Sequence, residues 1–240
     1  MSGGRGDAPG WARLSLLGGF CLVAGGSALE VPRVGERLFA LLGLAPRPLP
    51  RCVVAETLWP DRPAQRSLAN VRVTLWRLPA AARDLITQKA ATLSLGAAVD
   101  VDTRLFGRLA RKLMAKGAID DDEWDPTNWQ ADLLPFWDDE WVVLERERLR
   151  HLRLHALEAL ASMLCEQNEW ARAVDMAELA VDAEPLRESS VRVLVQAHLG
   201  AGNVADARLV FERHRAMVLA ELGIEPSKLL RDLVGAATAR

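Results

Sequence analysis

Slide the sequence along itself by 34 residues and the apolar positions of its latter part fall on one another. Leu157 meets Val191, Leu160 meets Leu194, Ala173 meets Ala207, and Ala177 meets Phe211. Ala161, Ala173 and Ala180 keep the first copy small, and Pro185 closes it; Gly202, Ala207 and the later Pro226 do the same for the second. A period of this length is that of a helix pair that cannot bury its apolar face alone and must stack on a neighbour. Small residues at these places let paired helices approach closely. Two repeats are legible, and a divergent third pair around residues 103–145 would complete the roughly three units such a stack needs.

Charge divides the chain in the same way. Residues 1–110 hold fourteen Lys and Arg against eight Asp and Glu; residues 111–240 hold sixteen against twenty-four. A basic half and an acidic half predict two domains with different partners. The cysteines, Cys21, Cys52 and Cys165, are isolated, so neither a zinc site nor a disulfide framework is implied. The longest apolar run, Leu38 to Pro46, is too short to cross a bilayer. Residues 1–11 begin without an apolar leader segment and read as a disordered tail, and a reducing cytoplasm is the expected compartment.

The basic half reads in order as strands, three helices and a closing hairpin. Arg13 to Val31 holds short apolar strands interrupted by Gly18-Gly19 and Gly25-Gly26, which are turn glycines and do not fit a dinucleotide fingerprint. Val34 to Leu44 is a first helix with Leu38, Leu41 and Leu42 inward. Pro46, Pro48 and Pro50 end it. Arg51 to Trp59 is a second helix with Val54 and Leu58 packing. Trp59-Pro60-Asp61-Arg62-Pro63 is a rigid loop into a third helix, Ala64 to Leu78, which Pro79 stops. Leu85 to Val101 returns to strand pattern, with a turn near residues 88–91. That order is a winged helix with the third helix as reader.

In that helix Leu68, Val71, Leu75 and Leu78 form one apolar stripe. Arg66, Asn70, Val73 and Arg77 lie opposite, and the helix has no acid. Arg reads guanine, Asn reads adenine, and an apolar tip touches a thymine methyl in the major groove of double-stranded DNA. Arg72 and Thr74, at the edges of this face, and Arg37, Arg47, Arg51 and Lys89, at helix starts or on the wing, are expected at phosphates. The bland alternative is a solvated face that happens to be basic.

The acidic half opens with an amphipathic helix, Thr103 to Lys116, then a linker, Ile119 to Asp125, whose acids lack the spacing of a calcium loop. Asp125-Pro126 and Asp138-Asp139-Glu140 look like helix starts. A long helix follows from Trp141 to about Cys165, with Trp141, Leu144, Leu149, Leu152 and Leu160 among its inward candidates.

LSLLGGF, LWPD, LANVRVTLWRL and LLPFWDDEWVVLERERLRHLRLHALEAL closely resemble the Streptomyces antibiotic regulatory protein family over roughly residues 12–236. The resemblance implies a mainly α fold with a small β part: a response-regulator-type winged helix over 12–102, then a bacterial transcriptional activator domain of tetratricopeptide-like helical repeats over 103–236. It also implies an activator that binds promoter direct repeats, self-associates on DNA and recruits RNA polymerase, in some members for a secondary-metabolite gene cluster. In winged helices of this type the loop carrying Asp61 and Arg62 faces the polymerase.

Other chemistry finds little support. His151 and His155 lie four apart, but no third metal ligand sits at a recognisable spacing, and Arg148, Arg150 and Arg153 oppose a cation. His198 falls at a repeat core position. Trp124, Trp129, Trp137 and Trp141 read as packing around the start of the long helix. No nucleophile elbow or P-loop is present, so neither enzyme activity nor a cofactor is expected. The competing readings are a helical-repeat adaptor and a ligand-sensing regulator with weak or no DNA binding.

Overall fold

The computed structural model describes residues 11–115 and 129–238. Expectations for residues 1–10, the linker 119–125, Trp124, the Asp125-Pro126 start and the second helix of a third repeat pair lie outside the described residues. The chain forms two compact units, one of residues 11–108 and 129–149, the other of residues 109–115 and 150–238. Among the described residues no helix is long and apolar enough to cross a membrane.

The first unit begins with strands β1 (Ala12–Ser15), β2 (Cys21–Ala24) and β3 (Ser27–Ala28). Helices α1 (Arg33–Leu44), α2 (Arg51–Leu58) and α3 (Ala64–Arg77) follow, with the short strand β4 (Leu49–Pro50) between the first two. A single-turn helix α4 (Ala80–Arg83), which the sequence reading lacked, leads from Pro79 into the hairpin β5 (Ile86–Lys89) and β6 (Thr92–Leu95), then β7 (Val99–Val101). The strands make two sheets, ordered β3-β2-β1-β7 and β4-β6-β5. β1 pairs antiparallel with β2, placing Leu14 opposite Leu22, and parallel with β7, placing Ala12 opposite Val99. In the hairpin Ile86 faces Leu95 and Lys89 faces Thr92, so Ala90 and Ala91 form the tip of the wing.

Leu14, Leu22, Leu38, Phe39, Leu42, Val54, Leu58, Val71, Leu78 and Leu93 are almost fully buried and make the core beneath these helices. α1 runs so close to β1 that a Cβ on Gly43 would stand 2.8 Å from Leu14 Cδ2. The C-terminal carbonyls of α1 are taken up by Arg104, whose guanidinium donates to Leu42, Gly43 and Ala45 oxygens. Such a cation satisfies carbonyls that have no partner inside the helix and complements the negative end of its dipole. The fold is a winged helix.

Residues 129–149 belong to the expected second domain by sequence, yet they pack within this first unit. Trp129 is 2% exposed and stands edge-on to Phe106 at 4.9 Å. Gly18 N–H donates to Asp132 O, and Leu134 N–H donates to Leu16 O, so the segment makes a bridge at Leu17, just beyond the end of β1. Arg33 lies over the Trp137 ring at 3.7 Å, and Arg37 pairs with Asp139. Arg146 donates to the carbonyls of Leu133, Leu134 and Trp137 and holds the turn closed.

Helices α5 (Asp102–Met114) and α6 (Glu140–Glu166) each have residues in both units. α6 begins where the acidic triplet predicts. Its inward face is set by Val142, Leu149, Leu154 and Leu157; Leu144, expected inward, is 66% exposed, because the helical period that buries Val142 and Leu149 turns it outward.

The second unit continues with α7 (Trp170–Ala183), α8 (Glu188–Gly200), α9 (Val204–Leu222) and α10 (Lys228–Thr238). α7 packs on α8, α8 on α9, and α10 on both α8 and α9. Every residue matched by the 34-residue shift is buried: Leu157 with Val191, Leu160 with Leu194, Ala173 with Ala207, Ala177 with Phe211. Gly200 permits the tightest approach, since a Cβ there would lie 2.3 Å from the Trp170 ring. Glu158 accepts hydrogen bonds from the Arg187 guanidinium and from the Ser189 and Ser190 hydroxyls, tying α6 to the first turn of α8.

Candidate nucleic-acid interface

α3 is held by one face. Val71, Leu75 and Leu78 are buried, Leu68 is half-buried, and Ser67 is 1% exposed beside them. That orientation brings Arg66, Val73 and Arg77 out into solvent together. Asn70 shares their face but is half-buried, which limits the rotamers its amide can take. Thr74 is also half-buried, at the edge nearer the core, and Arg72 is exposed at the other edge. With about 1.5 Å of rise per residue, Arg66 and Arg77 stand roughly 16 Å apart along the axis.

Trp76 was absent from the sequence-based site and is the most exposed large apolar side chain of this helix, at 75%. Its signal was legible: Ala69, Val73 and Trp76 recur at i, i+4 and i+7, opposite the buried stripe.

Beside α3 stands the wing. A cleft of about 840 Å³ between them is lined by Arg51, Gln65, Leu68, Arg72, Gln88 and Ala90. Arg51 begins α2, its backbone N–H donates to Ala91 O, and its guanidinium donates to Gln88 Oε1 at 3.0 Å. These bonds hold one cation in the lining of the cleft, to which Arg72 of α3 adds a second. Lys89 is exposed near the hairpin tip, and Arg47 is exposed in the loop before β4. Arg37 departs from its expected place: its guanidinium is engaged by Asp139, inside the fold, and is about one-fifth exposed. A charge already neutralised there has little left to offer a phosphate.

The loop from Trp59 to Pro63 is shaped from beneath. Ser67 lies in the first turn of α3 with its hydroxyl 3.3 Å from the carbonyls of Trp59 and Arg62 and 3.4 Å from that of Pro63. One hydroxyl proton is shared among three acceptors, which satisfies the buried oxygen and pins the loop to the helix. Asp61 and Arg62 remain exposed on the outer side.

The three helices, the hairpin beside α3 and the stacked helices α7 to α10 make a winged-helix module followed in the chain by a helical-repeat unit. The second half carries the family: residues 101–236 match the bacterial transcriptional activator domain, and the chain belongs to that family. By the family's name, the matched domain is one of bacterial transcriptional activators. Among solved structures it is similar to Mycobacterium tuberculosis EmbR in complex with a low-affinity phosphopeptide, with a TM-score of 0.76 and 17% identity over 96% of this chain. This chain spans 65% of the length of that one. The likeness is one of fold. No curated protein matches.

Proposed function

We propose that the chain binds double-stranded DNA in sequence-specific fashion, with α3 in the major groove and the β5–β6 wing against the backbone. The observation that carries this reading is the outward face of α3, where Arg66, Asn70, Val73 and Arg77 stand together with no acid on the helix. Asn70, beside Arg66 and Arg77 on that face, is the adenine contact, and either arginine takes guanine O6 and N7. Arg47, Arg51, Arg72, Thr74 and Lys89 take phosphates. Arg37 serves the fold.

The further roles are drawn from the resemblance to the Streptomyces antibiotic regulatory protein family. The acidic second half of the chain, residues 111–240, is repelled by DNA and serves protein contacts, including self-association on promoter direct repeats. The loop with Asp61 and Arg62 meets RNA polymerase. Selection of bound duplexes from a random DNA pool tests the reading: enrichment of a short motif, arranged as direct repeats and lost at high salt, supports it. Recovery of no motif contradicts it.

A further inference from the structure

The outward face of a surface helix is ordinarily polar. On α3 its centre line is apolar: Ala69 is half-buried, Val73 is 44% exposed and Trp76 is 75% exposed. Val73 and Trp76, three residues apart, are surface neighbours. By the 100° step of the helix, Arg66, Asn70 and Arg77 flank this line on one side and Gln65 and Arg72 on the other. An indole left mostly in water adds little to the stability of the fold, since burial is what stabilises apolar side chains. Single exposed apolar residues are common on protein surfaces; an apolar line framed by guanidinium groups on both sides is a more particular arrangement. The surface that fits it offers negative charge at its margins and apolar groups along its middle.

Resting on the DNA reading above, we infer that Val73 and Trp76, with Ala69 behind them, read the C5-methyl groups of thymines, and that Trp76 is the principal specificity determinant of the pair. The major groove presents one apolar group along its floor, the thymine methyl, and places phosphates on both rims. The line from Ala69 to Trp76 spans roughly 10 Å of helix axis, about three base steps at 3.4 Å each. The flanking arginines then straddle the strip, reaching bases or phosphates beside the methyl groups.

Deoxyuridine isolates this contact, because it differs from thymidine by that methyl alone. The full chain is titrated with the duplex selected from the random pool, and with versions carrying deoxyuridine at one thymine at a time. Wild type loses roughly three- to tenfold in affinity at one or two adjacent thymines, the scale of one buried methyl group. Trp76→Ala binds the parent duplex more weakly by a similar factor and is indifferent to those same replacements; Trp76→Phe falls between. The side chain is largely exposed, so the variant keeps its fold, which its melting temperature confirms. If Trp76→Ala binds the parent as tightly as wild type, or keeps the wild-type sensitivity to deoxyuridine, the inference fails while the DNA reading stands. Loss of transcription with an unchanged DNA profile overturns it too, by assigning the indole to a protein partner. Wild type that selects no duplex at all removes both readings.

Discussion

Arg51, at the start of α2, is braced by Gln88 of the wing, and Lys89 is exposed near the wing's tip. Neither points along the reading face of α3. Replacing either with Ala is expected to weaken binding to all sequences alike and to flatten the dependence of log affinity on log salt by about 1. A change in base preference at either position would place that residue in the groove. In the other unit, Glu158 holds a different kind of information. Burial alone would raise its carboxyl pKa, but hydrogen bonds from Arg187, Ser189 and Ser190 outweigh it and hold the group below its ordinary value of 4.5. A depressed folded value means the ionised form stabilises the fold above the unfolded value, and that this stability is lost as pH falls through the folded one. Urea midpoints from pH 6 down to pH 3 should fall more steeply in wild type than in Glu158→Gln, whose midpoint starts lower. Parallel curves would show that the carboxylate does not couple α6 to α8.

The loop between α2 and α3 is an element with its own test. Pro60 and Pro63 restrict it, Ser67 pins it, and Asp61 and Arg62 face outward. Asp61→Ala and Arg62→Ala are expected to lower transcription in vitro while leaving operator affinity largely intact; equal losses in both would mean the loop acts through DNA alone. Elements of this kind were legible because their signals are local. Pro79 ends α3, the prolines end α1, and alternation marks the hairpin. The 34-residue period named buried positions in the repeats correctly, because a stack repeats its environment as well as its sequence. Leu144 was misread for the opposite reason: at the start of α6 the inward face follows residues 129–137, which the local pattern does not reveal. Arg37 likewise reads as a surface cation until Asp139, about a hundred residues later, is brought against it. Trp76 was missed since an outward apolar line looks like core until the true core is known.

At the scale of the molecule, residues 129–149 complete the winged-helix unit. Trp129, Leu133, Leu134 and Trp137 are all buried there, and each buried large apolar side chain is worth about 1.5–3 kcal/mol. A fragment of residues 1–110 lacks them and leaves Phe106 and the backbone of residues 16–18 uncovered. It should melt at a lower temperature than a fragment of residues 1–149, by a margin read directly in calorimetry. Neither fragment holds the repeat unit, so both should bind direct repeats less cooperatively than the full chain. Equal melting temperatures would show that the segment merely rests on the surface, and full cooperativity in either fragment would remove the repeats from self-association.

Sequence recognition depends on α3 as the reader. The direct measurement is the affinity of wild type, Asn70→Ala and Arg77→Ala for the selected site and for every single-base variant of it. Asn70→Ala should lose about 1–3 kcal/mol on the preferred site and become indifferent at one A·T pair, and Arg77→Ala should relax preference at a different pair. If both variants keep the wild-type profile across all positions, α3 does not read bases and the central claim is contradicted.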